Sequence, residues 1–556
     1  MTYIIIAVVV ALLCAAAGFA YYFLVYRSNF FRKSICMKKN RITCIVGIIA
    51  VLLLLIICSK CADKNLQDKT YDSIDRNNID KVVKKGKIQY SDALTENPER
   101  FCLNALISDN MVLQRNAVNC IWGTSEKDGE IAVTINNKTF YGTVESGVFA
   151  IYLSPMESGG PYDMVVFDGS EKVTIRNVLI GEVFLLAGQS NMQMRVSDTL
   201  TTEELEIFDN DKIRFFEIAT NYSEEPLEEM SIYDVITWTA STRDTAMYCS
   251  AAGYYFAKEL QTRYPDMPIG LVMCCQGATY LSTWIPQYAY DELVNNGFYI
   301  PANEADPRLT PALHYNAMVN PIRNFKFKTV LWYQGENQPQ NYDKGLEKLI
   351  QTWRKELSSP DMGFVVFTLP RLVVDKYSNY AVVDEYAWFE SRTLQMIAAQ
   401  NVDNATYCVA NDLGSYDDIH PLDKKVIATR AAHAFISKFY GSTETLTGPR
   451  YESYTVNGSS IEITFTNVGS GLELRNKNLG FEIMNENYEY EVAEVEIIEN
   501  NKIRITGTTD APKGFRYGYT NVYSTLTEEE QKDVKNAVCL YNKEGYPAEQ
   551  INVVFE

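Results

Sequence analysis

Two short segments of the chain carry the residue types of acyl-transfer chemistry. Residues 188–192 read Gly-Gln-Ser-Asn-Met, and residues 417–421 read Asp-Asp-Ile-His-Pro. The first offers a hydroxyl nucleophile, Ser190. The second, 230 residues farther along, offers a base, His420, with two carboxylates beside it, Asp417 and Asp418, either of which can orient its ring. Imidazole ordinarily titrates near pH 6.5, which suits proton transfer at neutral pH. The chain has three histidines. His433 lies in the helical run from Lys425 to Tyr440, off the stripe Ile427, Ala431, Ala434 and Phe435, and is expected to be a surface or packing residue. His314 precedes Tyr315-Asn316-Ala317-Met318 and is expected to help position a helix start. His420 is therefore the base that Ser190 must find. A serine after a strand is more ordinarily a helix cap, and a histidine before proline a turn residue.

The elements around these residues are readable. Val183, Phe184, Leu185, Leu186 and Ala187 form an apolar run of the kind buried inside a parallel sheet. Gly188 then permits a sharp turn, and the amides of a following helix would point toward an anion. From Gly181 to about Ser442, strand-like and helical runs alternate: Phe184–Ala187, Ala251–Leu260, Ile269–Met273, Thr329–Tyr333, Leu346–Leu357, Gly363–Thr368. That alternation predicts an α/β domain, a parallel sheet with helices on both faces. Such sheets bind ligands at the C-terminal ends of their strands, and Ser190, Gly277 and Gln334 each fall just after a predicted strand. Residues 99–178 and 447–556 show short β runs and turn signals instead, and are expected to be flanking β domains around a catalytic domain at 179–443.

The motifs recur as an ordered series. Met111-Val112-Leu113-Gln114-Arg115, Ile121-Trp122-Gly123, Gly159-Gly160-Pro161-Tyr162 and Gly181-Glu182-Val183 precede the serine segment. Gly277-Ala278-Thr279, Trp284, Tyr315-Asn316-Ala317-Met318, Trp332-Tyr333-Gln334-Gly335-Glu336, Arg392 and Gln395 come between serine and histidine. Gly448-Pro449, Gly480-Phe481, Arg516-Tyr517-Gly518 and Leu540-Tyr541-Asn542 close the series. Over roughly residues 100–550 the chain resembles the sialate O-acetylesterase-like family of the SGNH hydrolases. The resemblance implies an SGNH-type three-layer catalytic domain, with Ser190 as nucleophile and His420 as general base. It leaves two candidates for the third residue: the Asp-x-x-His pattern of SGNH enzymes maps onto Asp417, the favoured one, whereas Asp-Ile-His-Pro points to Asp418. It implies an oxyanion hole made from the Ser190 amide, the Gly277 amide and a side-chain amide, Asn337 or the competing Gln334. Gln276 stands where the family often has glycine. Glu336 is expected to anchor the site from behind. The implied reaction is removal of O-acetyl groups from sugars, O-acetylated sialic acid first. Acetylated plant polysaccharide of the acetylxylan type, or a non-catalytic surface carbohydrate-binding role, are the alternatives.

Composition bounds the rest. A chain of 556 residues accommodates several domains, and a net charge of −19 argues against nucleic acid as a partner. No zinc-type ligand spacing, phosphate loop or nucleotide fingerprint occurs. No cofactor or metal is expected, because an activated serine and an oxyanion hole suffice for an ester. Cys102–Cys120 is a candidate disulfide, whereas Cys274-Cys275 sits in an apolar run and reads as core. Residues 3–26 form an uncharged apolar stretch of membrane-spanning length, and Ile42–Cys58 a second, shorter one. The loop between them carries Arg27, Arg32, Lys33, Lys38, Lys39 and Arg41 without an acid, which places it in the cytoplasm and the large C-terminal part outside. Cleavage or lipidation of the second stretch is the alternative. Residues 62–98 are polar and charged and are expected to be a tether.

Overall fold

The computed structural model describes residues 101–199, 209–231, 236–303, 305–336, 340–375, 381–382 and 385–555. Among these no helix is long and apolar enough to cross a membrane. The expected spans, 3–26 and 42–58, and the tether lie outside the described residues.

The polypeptide enters through antiparallel strands. β1 (Gly129–Ile135) pairs with β2 (Lys138–Val144) and with β3 (Gly159–Phe167), and β3 returns against β4 (Lys172–Gly188). Inward residues alternate along β1: Ile131, Val133 and Ile135 are buried. β4 is 17 residues long. Its first half belongs to this antiparallel sheet. Its second half, from Glu182, is the central strand of a parallel one. The boundary expected between residues 178 and 179 thus falls inside one unbroken strand.

The parallel part continues through β5 (Asn210–Glu217), β6 (Thr239–Ser241), β7 (Ile269–Cys275), β8 (Thr329–Tyr333), β9 (Gly363–Phe367) and β10 (Ala405–Cys408). In space the order is β6-β5-β7-β4-β8-β9-β10, parallel throughout except for the antiparallel edge strand β6. The second half of β4, together with β7, β8 and β9, is buried on both faces, which explains their unbroken apolar runs.

Alternate residues feed two cores, one on each face. Phe184, Leu186, Leu271, Leu331 and Val365 pack with Tyr255 and Phe256 of α2 (Ala251–Arg263) and Ala432 and Phe435 of α5 (Lys425–Phe439). Leu185, Ala187, Val330, Trp332 and Phe364 pack with Leu349 and Trp353 of α3 (Tyr342–Glu356) and Ala398 of α4 (Glu385–Asn401). A one-turn α1 (Ser190–Gln193) follows β4 directly. Phe184 is edge-on to Phe256 at 4.8 Å and to Phe435 at 5.2 Å, so the sheet and two helices lock around one ring. Three layers result, as the alternating runs predict.

The C-terminal part holds two four-stranded antiparallel sheets around Ile461, Ile463, Phe481, Ile503 and Phe515. Two buried arginines tie it to the α/β part. Arg371 donates to the carbonyls of Gly518 and Thr520 and to the Asn521 side chain, and Arg392 donates to Gln550. Cys102 and Cys120 are not joined to each other, which corrects the expected disulfide. Their strands are adjacent, but Cys102 lies opposite Thr124. Four residues of register separate them, roughly 13 Å at strand rise, which a disulfide does not span.

Candidate active site

Gly188 ends β4 between Tyr333 of β8 and Cys275 of β7, its register partners. Its φ is +130°, and a Cβ there would sit 2.1 Å from the Tyr333 carbonyl oxygen. Only glycine permits both the backbone angle and the approach. The Gln189 amide donates to that carbonyl at 3.0 Å, and Ser190 opens α1 immediately afterwards. The serine therefore stands at the C-terminal edge of the sheet, half-buried, with its own amide at the first helical position, where no intrahelical acceptor exists.

His420 arrives on the loop between β10 and α5. Its Nε2 lies 2.8 Å from Ser190 Oγ. At the other side of the ring, Nδ1 is 3.9 Å from Asp418 Oδ1, and the same oxygen accepts the His420 backbone amide at 2.9 Å. Asp417, the favoured acid of the sequence reading, turns instead toward the Ser415 hydroxyl, which donates to it at 3.4 Å. The carboxylate set beside the imidazole is that of Asp418. Two-residue spacing lets one side chain hold both the backbone and the ring of the histidine it precedes.

The expected oxyanion donors separate in space. Gly277 lies against the serine: a Cβ on it would be 3.4 Å from Ser190 Cβ. Its amide donates to Gln193 Oε1 at 2.8 Å. Gln334 is fully buried; its Nε2 donates to the Thr279 carbonyl at 3.1 Å and its Oε1 accepts the Tyr342 hydroxyl at 2.8 Å. The amide oxygen and one N–H of Gln334 thus hold neighbouring loops together. Asn337 lies outside the described residues. Beside Gly277, Gln276 Oε1 is buried without a hydrogen-bond partner among the described residues. Among the described residues no group of three His, Cys, Asp or Glu side chains is placed to hold a metal ion.

Behind the serine and histidine lies a buried polar cluster. Asn191 Nδ2 donates to Glu336 Oε1 at 2.6 Å and to the Ile419 carbonyl at 3.1 Å. Lys424 Nζ donates to Asn191 Oδ1 at 2.5 Å and to the Pro421 carbonyl at 2.7 Å. Burial pushes the Glu336 carboxyl up to about 6, against the opposing pull of Asn191 and Lys424. Burial likewise pulls the Lys424 ammonium down to about 7, opposed by Glu336, Asp418 and Asp423. Glu336 thus sits behind the site, as expected. Asn191 and Lys424 escape the sequence reading. Asn191 stands inside the serine motif with no chemistry of its own, and Lys424 lies in a polar stretch that resembles solvated surface.

The remaining histidines stay apart from the serine. His314 is 1% exposed; its Nδ1 lies 2.8 Å from the Thr283 hydroxyl, and burial pulls it down to about 4. His433 is buried rather than superficial, held between Glu259 at 2.7 Å and the Tyr546 hydroxyl at 2.7 Å.

Residues 180–424 match the family described as carbohydrate esterase, sialic acid-specific acetylesterase, a span that contains Ser190, Glu336, His420 and Lys424. The Homo sapiens protein named sialate O-acetylesterase is 27% identical over 385 residues, 63% of this chain and 73% of its own length. Its Rattus norvegicus counterpart is 28% identical over 417 residues, 63% of this chain and 76% of its own. A crystal structure of a carbohydrate acetylesterase from Xanthomonas citri superposes with a TM-score of 0.72 at 24% identity, covering 81% of this chain and 99% of that one, a likeness of fold. The family match thus covers the α/β part from the second half of β4 to the start of α5.

Proposed function

We propose that this chain is a carboxylic ester hydrolase that removes O-acetyl groups from the hydroxyls of sugars, with O-acetylated sialic acid as its first substrate. The observation that carries the reading is the 2.8 Å approach of His420 Nε2 to Ser190 Oγ at the C-terminal edge of a parallel sheet. Ser190 Oγ attacks the acetyl carbonyl carbon while Nε2 takes the hydroxyl proton. The resulting imidazolium faces Asp418. The tetrahedral intermediate collapses, the C–O bond to the sugar breaks, and the departing alkoxide takes the proton from His420. Water then attacks the acetyl-enzyme carbonyl as His420 takes its proton, the bond to Ser190 Oγ breaks, the imidazolium returns the proton to Oγ, and acetate leaves.

The negative charge of each intermediate is met by the Ser190 amide and by the Gly277 amide. Before substrate arrives, Gln193 Oε1 occupies the latter; the carbonyl oxygen replaces it as acceptor. Asn337 is the proposed side-chain donor. Preorganised amides of this kind are each worth about 10²–10³ in rate. The catalytic part stands outside the cytoplasm, anchored through residues 3–26 and 42–58, a reading supported by the basic loop between them.

Acetate release from O-acetylated sialic acids and from acetylated xylan, measured side by side, tests the substrate. Ser190→Ala and His420→Ala are each expected to lower turnover by several orders of magnitude while the protein still melts cooperatively. Near-normal hydrolysis of para-nitrophenyl acetate by either variant refutes the mechanism. Preferential action on xylan moves the substrate to plant polysaccharide. Protease treatment of intact cells carrying the full chain tests its outward placement: a protected catalytic part overturns it.

A further inference from the structure

The two catalytic side chains come from segments 230 residues apart, yet their reacting atoms meet at hydrogen-bond distance. Something must hold that distance. The peptide carbonyls on either side of His420 are those of Ile419 and Pro421. Ile419 O accepts from Asn191 Nδ2, and Pro421 O accepts from Lys424 Nζ. Asn191 follows Ser190 directly in the chain, and its side-chain oxygen accepts from the same ammonium. The histidine loop is therefore bracketed on both sides by one two-membered link. The link is rooted in α1 through Asn191 and in the end of β8 through Glu336, whose Oε1 accepts from Asn191.

This arrangement is costly. Lys424 is 1% exposed. Its ammonium is held by a carbonyl and an amide oxygen and lies 5.8 Å from the centre of the Tyr333 ring. Removing such a cation from water is expensive, and an apolar side chain of the same length would fill the space at lower cost. Glu336 is also buried, and its Oε2 has no hydrogen-bond partner among the described residues. A pair of opposite charges joined through one asparagine pays for geometry rather than stability.

We infer that Lys424 is a positioning residue of the esterase reaction, which with Asn191 fixes the backbone on both sides of His420 against the Ser190 turn, Glu336 supplying the counter-charge. The inference rests on Ser190 and His420 acting as nucleophile and base. Lys424 touches no reacting atom. Its loss leaves the nucleophile and base present but misaligned, and misplacement by about 1 Å is worth on the order of 10²-fold in rate.

The test compares Lys424→Met with the doubly neutral Lys424→Met/Glu336→Gln in the full-length protein, using para-nitrophenyl acetate. Methionine keeps the length and removes the donor. Both variants are expected to lose about 10²-fold in kcat and equally in kcat/KM, the signature of an interaction lost in the transition state. Should Lys424→Met fail to fold because Glu336 is left unpaired, the double variant carries the test. A purely structural role would lower Tm and leave kcat of the folded protein intact, and that result overturns the inference. Asn191→Ala combined with Lys424→Met is expected to lose no more than the worse single variant, because both act on one link; additive losses also overturn it. An active wild type, an inactive Ser190→Ala and a normal Lys424→Met refute the link alone. An inactive wild type refutes the esterase reading, and the link falls with it.

Discussion

Asp418 and Asp417 are neighbours with different work. Asp418 Oδ1 holds the His420 amide at 2.9 Å and lies 3.9 Å from Nδ1. The ring distance is long for a hydrogen bond, but catalytic hydrogen bonds commonly shorten when substrate binds. An acid in that place selects the tautomer with the proton on Nδ1 and stabilises the imidazolium. Asp418→Asn is therefore expected to lower kcat by ~10²–10⁴-fold with little change in affinity. Asp417→Asn is expected to leave kcat within a few-fold and to cost at most about 1 kcal/mol of stability, the worth of one turn hydrogen bond. Steady-state kinetics beside thermal melts of the two variants decide between the neighbours. A kinetic defect confined to Asp417→Asn would return the role to that residue.

Strand ends make the site. β4, β7 and β8 stop level with one another, with Gly188 opposite both Cys275 and Tyr333. The segments that follow, from Gln189, Gln276 and Gln334, converge because the sheet delivers them to one edge. Gly188 is where this convergence is tightest. Gly188→Ala would place a methyl 2.1 Å from a backbone carbonyl that cannot move without shifting β8, at a φ of +130° that alanine rarely adopts. The expected result is loss of more than about 4 kcal/mol, or failure to fold, read as soluble yield and urea midpoint. A midpoint unchanged within error would mean that the strands separate more easily than their register implies.

At the scale of the molecule, acid should weaken the fold through His314. Burial holds this ring down to about 4, whereas the unfolded chain takes up the proton near 6.5. Between those values the unfolded state binds more protons, so stability rises with pH across the window and is lost as pH falls through it. The loss is on the order of 3 kcal/mol by pH 4. Melting temperatures at pH 7 and pH 4.5 should differ, and His314→Asn should shrink the difference even where it lowers both values. An undiminished difference in the variant would assign the acid sensitivity to other groups. His314 packs against Trp284 at 5.2 Å, in the core that also holds Trp332 and Trp353, so the protonation penalty falls on the layer behind the sheet rather than on Ser190.

Local pattern decides local things. The apolar run before Gly188, the period of α2 and α5, and the order of the motifs identify strands, helices and the serine–histidine pair, because side-chain periodicity and turn chemistry are written within a few residues. Thr329–Tyr333 is a strand with the bounds its sequence predicts. Partnership is decided elsewhere. Whether Asp417 or Asp418 faces the ring, which loops the Gln334 amide meets, and whether Cys102 reaches Cys120 depend on register and on backbone placement within an ångström. Those come from strands and loops distant in the chain. Lys424 shows the difference most plainly. In sequence it is one lysine in a charged stretch; only the packing of the histidine loop onto α1 removes it from water and sets its ammonium between Asn191 and Pro421. A charge declares its role through its surroundings, and the surroundings of a buried charge exist only once the chain has closed around it.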